Sequence, residues 1–343
     1  MKAIIMAGGE GRRLKSVSGD LPKPMVLLAG KPVLEHILAL LRRCGIEDVC
    51  IALHYRPEVI RDYFGDGEGF GMRIRYHVEE MPLGTAGGVK ACEWFFGQRD
   101  FLVISGDCAC DFDLRQLMEA HRRHRPAVTM ALYAHPTPLP YGCVLTDPSG
   151  KVVCFREKPA WGQVITDMVN TGIYVISPQS MEQVPEGCMF DFSRDLFPRL
   201  MAQGREIRGV SLEGYWCDIG TPAAYHRCNL DALEGRLKLE HPAAPPDPAP
   251  HPFYVPEAPG VRRELLCRDR ARAMRLLSMT LMEMGADFSE GLSLSTQEGR
   301  VRIAPSEERE SLIIRAQGQT SASAAALAGR MECFVRDSLG DHA

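Results

Sequence analysis

The sequence has no run of about eighteen apolar residues, so no stretch reads as a membrane-spanning helix. No charged segment followed by an apolar one opens the chain, which starts directly on a strand-like run. A basic excess is lacking too. Lysine plus arginine (40) fall short of aspartate plus glutamate (44), and the net charge of −4 leaves no electrostatic footprint for nucleic acid. Two familiar phosphate motifs are missing. No G-x-x-x-x-G-K-[ST] occurs, and Gly9-x-Gly11 lacks the third glycine of G-x-G-x-x-G, which excludes a P-loop and a dinucleotide fingerprint. Cysteine is present at 12 residues, but Cys108-x-Cys110 has no second pair at zinc-finger spacing. Free thiols in a reducing cytosol are the reading, and the expected protein is cytoplasmic, engaging neither membrane nor nucleic acid.

What is present is an ordinary globular composition, 45% apolar and 24% charged over 343 residues, long enough for one large and one small domain. The apolar run Lys2-Ala3-Ile4-Ile5 leads into Met6-Ala7-Gly8-Gly9-Glu10-Gly11-Arg12-Arg13-Leu14, and Pro22-Lys23-Pro24 follows closely. Glycines let backbone N–H groups approach a phosphate, and the guanidinium and ammonium groups supply the charge a polyphosphate needs. Phosphate handling is the first functional reading.

Strand-like runs (46–53, 73–78, 101–105) alternate with helical patterns (32–44, 57–64, 85–96, 114–124), which predicts an α/β layered domain with a largely parallel sheet. After Pro126 the runs shorten to 128–133, 142–146, 152–157 and 172–176, as in a mixed sheet carrying an inserted part. Eight prolines in 242–259 forbid regular pairing, so 236–260 reads as a linker. Beyond it, 264–284 reads as a helix, 292–295, 300–304 and 312–316 as strands, and 321–337 as a closing helix. These make a separate small α+β domain over 261–343, leaving residues 1–235 as the large one.

Nine segments in order resemble the sugar-1-phosphate nucleotidyltransferases, most closely the mannose-1-phosphate guanylyltransferase-like domain that some bacteria fuse to a phosphoglucomutase/phosphomannomutase. They are 8–14, 22–25, 30–36, 63–67, Pro82–Gly88, Ser105-Gly106-Asp107, Glu157-Lys158-Pro159, Asn170-Thr171-Gly172 and 216–220. The resemblance implies a Rossmann-like nucleotidyltransferase domain with a mixed, mostly parallel central sheet. It implies a reaction of a nucleoside triphosphate with a sugar 1-phosphate, giving an NDP-sugar and pyrophosphate with Mg²⁺ as cofactor. GTP and mannose 1-phosphate are the leading pair. UTP or dTTP with glucose 1-phosphate, a heptose 1-phosphate, or a non-catalytic sugar-nucleotide-binding paralogue are the alternatives.

By the same resemblance Asp107 and Asp218 hold the metal, Arg13 grips the triphosphate and Lys23 bridges substrate and leaving-group phosphates. Lys158 contacts the sugar phosphate and Glu157 the sugar hydroxyls, with Gly142, Asn170 and Thr171 lining the hexose. Ala7, Gly8, Gly9, Gly11 and Gly106 line the nucleotide, and the base is expected near Gly84 and Thr85 with Glu79 or Glu80 close by. A carboxylate there suits guanine, which offers two adjacent donors, better than uracil or thymine. Arg12 is expected to face solvent, and Asp111 and Asp113 to cap the helix from Leu114. The C-terminal piece resembles the last domain of the phosphohexomutases, but Ala304 replaces the arginine of its phosphate loop and glutamates crowd 307–310. It is expected to be a separately folding, non-catalytic remnant, with homo-oligomerisation left open.

Overall fold

The computed structural model describes residues 1–239, 260–267, 269–282, 292–296, 299–306, 310–318 and 320–339. The proline-rich linker expected over 236–260 lies almost wholly outside the described residues, as do residues 307–309 of the loop compared with the phosphohexomutases.

Described residues fall into two units. The first comprises Met1–Tyr133, Thr146–Val153 and the residues described from Asn170 to 239. At its centre the strand Lys2–Met6 runs parallel to both Asp48–Leu53 and Phe101–Ser105. Arg73–Val78 adds a parallel strand beside Asp48–Leu53, and Met168–Ile176 pairs antiparallel with Phe101–Ser105. Ala3, Ile4, Ile5, Val49–Leu53 and Phe101–Ile104 are all buried. Near-continuous apolar strands are what a sheet covered on both faces requires. The mixed, mostly parallel sheet is as expected.

The helices Pro57–Phe64 and Leu114–His124 have the expected bounds, and 32–44 forms Val33–Arg43. The helix expected over 85–96 is two pieces, Gly84–Ala91 and Glu93–Phe96, broken where Cys92 adopts φ −88° and ψ 13°. Two short strands were not anticipated. Cys108–Cys110 and Trp216–Asp218 pair antiparallel, with Asp218 in register with Cys108. Three-residue strands carry too little periodicity to read.

The second unit draws on separate parts of the chain. It combines Ala134–Leu145 and Cys154–Val169 with the described residues from Gly260 onward. Its sheet is four-stranded and antiparallel, in the order Gly260–Leu266, Ser311–Gly318, Gly299–Pro305, Leu292–Thr296. The first of these strands lies where a helix was expected from Glu264; the helix is Arg270–Met282. Val261-Arg262-Arg263-Glu264 is an edge strand, and its charges hide the period-two pattern while blunting the edge. Leu312, Ile314, Val301 and Ile303 meet Met274, Leu277, Leu281, Leu327, Met331 and Val335 in one core. Val164, 1% exposed, is buried in that same core, and Leu139 packs against it. The core of the C-terminal piece is therefore not made by that piece alone. It shares its interior with the segments inserted around residues 134–169.

Candidate active site

Three chain segments converge at the carboxyl edge of the parallel strands, where open α/β sheets bind ligands. The loop after Met6 is one; Gly106, whose N–H donates to the Met6 carbonyl at 2.8 Å, begins the second. Within the loop, Gly11 has φ 67°, and a Cβ there would stand 2.9 Å from the Lys23 Cβ. Glycine at this position is what lets the lysine lie beneath the loop. At Gly9, by contrast, a Cβ would meet no heavy atom within 4 Å. Packing within the protein does not account for that glycine, whereas close approach of a ligand would.

Lys23 starts the turn Lys23–Met25, set by the prolines on either side, and is 8% exposed. Its Nζ donates to Asp107 Oδ2 at 2.6 Å and to Asp218 Oδ1 at 2.9 Å. Two carboxylates brought together by antiparallel pairing repel each other, and the ammonium between them offsets that repulsion. Burial works to lower the Lys23 pKa, but the two facing carboxylates raise it above the ordinary lysine value. Burial works against the charged form of Asp107 as well. Lys23 and the Ser105 hydroxyl, which donates to Asp107 Oδ1 at 2.7 Å, outweigh it and hold Asp107 low. Asp218 is pushed up by burial and by Asp107, with Lys23 and Arg13 opposing. Arg13 is exposed, with Nη2 3.3 Å from the place of a Gly220 Cβ, beside Asp218. Arg12 faces solvent, as expected, and pairs with Glu10 at 2.7 Å.

Among the described residues no group of three or more His, Cys, Asp or Glu side chains could hold a metal ion. The Asp107–Asp218 pair nonetheless fits Mg²⁺. Both ligands are hard oxygens, a cation already sits between them, and Mg²⁺ commonly takes one or two carboxylates and completes its shell with water and phosphate.

A profile of the nucleotidyl transferase family matches residues 2–235. The chain belongs to that family. It is 37% identical over 234 residues to the mannose-1-phosphate guanylyltransferase of Mycobacterium tuberculosis, covering 68% of this chain and 65% of that one. It is 35% identical over 251 residues to the UTP–glucose-1-phosphate uridylyltransferase of Synechocystis sp., covering 69% and 65%. The chain thus spans just under two thirds of the length of these relatives. Among solved structures, HddC from Yersinia pseudotuberculosis, complexed with GMP-PN, superposes with a TM-score of 0.59 at 29% identity, covering 67% of this chain and 98% of that one.

The expected base region is tightly engaged. Glu79 Oε2 accepts from the Leu83 N–H at 3.0 Å, and a Cβ on Gly88 would stand 2.3 Å from Oε1. Burial raises the Glu79 pKa. Gly88 therefore admits this carboxylate, a role the sequence reading missed although Gly87-Gly88 was part of its motif. His54 was missed too; its Nδ1 lies 3.0 Å from the Glu79 carbonyl and its Cβ packs beside Gly8. The Ala86 and Gly87 N–H groups both donate to the Phe190 carbonyl, and the Thr85 hydroxyl donates to Asp191 at 2.8 Å.

Of the residues expected to line the hexose, Thr171 is 2% exposed, and its hydroxyl donates to the Ala131 carbonyl. Only its backbone remains to meet a ligand, and its carbonyl accepts from Trp216 Nε1. Asn170 Oδ1 accepts from the Gly172 N–H, with Nδ2 3.4 Å from Ser193 Oγ. In the second unit, a Cβ on Gly142 would stand 2.8 Å from Glu157 Oε2, so glycine leaves room for that carboxylate. Lys158 is exposed and holds φ 46°, a region unfavourable to side chains, with its N–H donated to the Tyr141 carbonyl.

Asp113 caps the helix from Leu114 as expected, accepting from the Arg115 N–H. Asp111 does not. Its two oxygens accept from the Tyr215 and Lys238 N–H groups at 2.7 and 2.9 Å, satisfying backbone donors of irregular segments.

Proposed function

We propose that the chain transfers a nucleotidyl group from GTP to mannose 1-phosphate, or to a closely similar sugar 1-phosphate, with Mg²⁺ as cofactor. The observation that carries this reading is Lys23 Nζ bridging Asp107 and Asp218 beside a glycine loop ending in Arg13. Joining two polyanions needs in-line positioning and charge neutralisation rather than a general base, because the attacking phosphate oxygen is already ionised. That oxygen bonds the α-phosphorus as the bond to the bridging β-oxygen breaks, releasing pyrophosphate and the NDP-sugar. Asp107 and Asp218 would hold the Mg²⁺, which when bound neutralises charge on the phosphoryl oxygens. Lys23 keeps the carboxylates together and reaches the leaving phosphates; Arg13 holds the triphosphate; Lys158 and Glu157 take the sugar phosphate and its hydroxyls.

Guanine is supported by the Glu79 carboxylate and by similarity to a guanylyltransferase and to a structure complexed with GMP-PN. Similarity to a uridylyltransferase at nearly the same identity favours a second reading, UTP with glucose 1-phosphate. The test is pyrophosphate release from four NTPs against several sugar 1-phosphates. The highest kcat/KM is expected for GTP with mannose 1-phosphate. A maximum at UTP and glucose 1-phosphate would establish the second reading, and no release from any pair would leave a binding protein.

A further inference from the structure

Away from the glycine loop, the second unit contains a cavity of about 410 Å³ between Val164–Asp167 and the first two turns of the helix Arg270–Met282. Arg270, Arg272 and Arg275 line it, with Asp167 and Asp269 as the acidic members. Arg270 is anchored by donating to the Ser306 carbonyl at 2.9 Å. Asp269 Oδ1 is engaged with the Arg272 N–H at 2.9 Å. Among the described residues neither Arg272 nor Arg275 forms a side-chain ion pair. These two stand three apart, on one helical face, where like charges repel. Arg270 and Arg272, in the first turn of the helix, also oppose its dipole. Two arginine side chains on one helical face with no ion pair among the described residues are a local cost that a ligand can offset. The cavity volume lies in the range of small-molecule sites, and guanidinium forks suit phosphate oxygens.

We propose that this cavity is a second ligand site, taking a phosphorylated metabolite the size of a hexose monophosphate. The site has one wall on each of the chain-distant parts that make up this unit. Its Val164–Asp167 wall belongs to the segment running from Lys158 to Asn170, both assigned above to the acceptor. A bound phosphate ester therefore restrains that segment, and regulation of acceptor binding is the consequence.

The test is calorimetric titration of the full chain, without nucleotide or Mg²⁺, using glucose 6-phosphate, inorganic phosphate and AMP as separate probes. The variants are Arg272→Ala/Arg275→Ala and, as a control at the glycine loop, Arg13→Ala, with a thermal melt confirming that each is folded. Glucose 6-phosphate is expected to bind the wild type and Arg13→Ala alike. Its affinity should fall at least about tenfold in the double variant, which loses two charge-assisted contacts. Binding of inorganic phosphate at equal strength would name the free ion as the ligand of the same site, and preference for AMP a nucleotide. Binding that survives the double variant but not Arg13→Ala, or no binding of any probe to the wild type, would overturn the proposal. Because no turnover is measured, these outcomes are independent of whether the chain is a guanylyltransferase.

Discussion

The two units solve the same problem of placing charged side chains, but by different means. In the first, Asp107 and Asp218 sit at the ends of short strands, and Lys23 bridges them while the Ser105 hydroxyl donates to Asp107. In the second, Glu157 and Lys158 lie in segments that pack with residues a hundred positions further along, in a core containing Val164. Both sites are assembled from distant parts of the chain, the first by an ion-paired bridge between strand ends and the second by packing in a shared core. Damage to either should therefore appear in different kinetic constants.

The largest effect is expected at the carboxylate pair. Asp107→Ala or Asp218→Ala should lower kcat by about 10²–10³ or more, as for loss of one strong electrostatic element. Both variants should remain folded, although Asp107→Ala also loses its pairing with the buried Lys23 and should melt somewhat lower. Near-normal pyrophosphate release at saturating Mg²⁺ would remove the pair from the mechanism. Lys158→Met should instead raise KM for the sugar phosphate far more than for the nucleotide, and Arg13→Met the reverse. Equal shifts in both constants would erase the division between the units.

Next comes the shared core. Val164→Ala should destabilise the second unit by about 2 kcal/mol, as truncation of a buried aliphatic side chain does. It should raise KM for the acceptor while leaving that for the nucleotide within about twofold. A chain ending at residue 239 would lose the core around Val164 altogether, so acceptor binding should suffer more than nucleotide binding. Full activity in that truncated chain would restore the view of the C-terminal piece as a dispensable remnant.

How much of this was legible beforehand follows the same division. The parallel strands, the helices Pro57–Phe64 and Leu114–His124, and the glycine loop follow from local pattern, which a sequence states directly. Asp107 and Asp218, 111 residues apart in the chain, were paired only through resemblance, and their bridging by Lys23 was not read at all, because no spacing rule encodes it. Asp111 looked like a cap because it sits near a helix start, yet its partners lie at Tyr215 and Lys238. The union of Val164 with Leu277 and Ile314 was invisible for the same reason. A proline-rich stretch before Gly260 suggested a boundary, whereas the core is defined by burial.

A smaller effect is expected at the base. Gly88→Ala would place a methyl 2.3 Å from Glu79 Oε1, where an oxygen must move aside. Discrimination between GTP and UTP should fall by about tenfold, as for a displaced hydrogen-bonding group, with kcat for the better substrate less affected. Unchanged discrimination would take Glu79 out of base recognition.

The smallest effect is a pH dependence confined to the first unit. His121 is 1% exposed, with Nδ1 2.8 Å from Thr129 Oγ1 and Nε2 3.6 Å from Asp100 and 3.4 Å from Ser177 Oγ. Burial lowers its pKa, and Asp100 only partly opposes this. Between the folded value and the ordinary histidine value the unfolded chain binds the proton more readily, so stability rises with pH across that window. The contribution is complete above about pH 7 and is lost as pH falls below about 6.5, the ordinary value. Urea unfolding of the wild type and of His121→Gln at pH 5, 6, 7 and 8 measures it. The variant should be less stable at pH 8, having lost a fitted ring, but should lose less on acidification than the wild type. Parallel pH profiles for the two proteins would show that His121 titrates alike in both states and that burial there imposes no charge penalty.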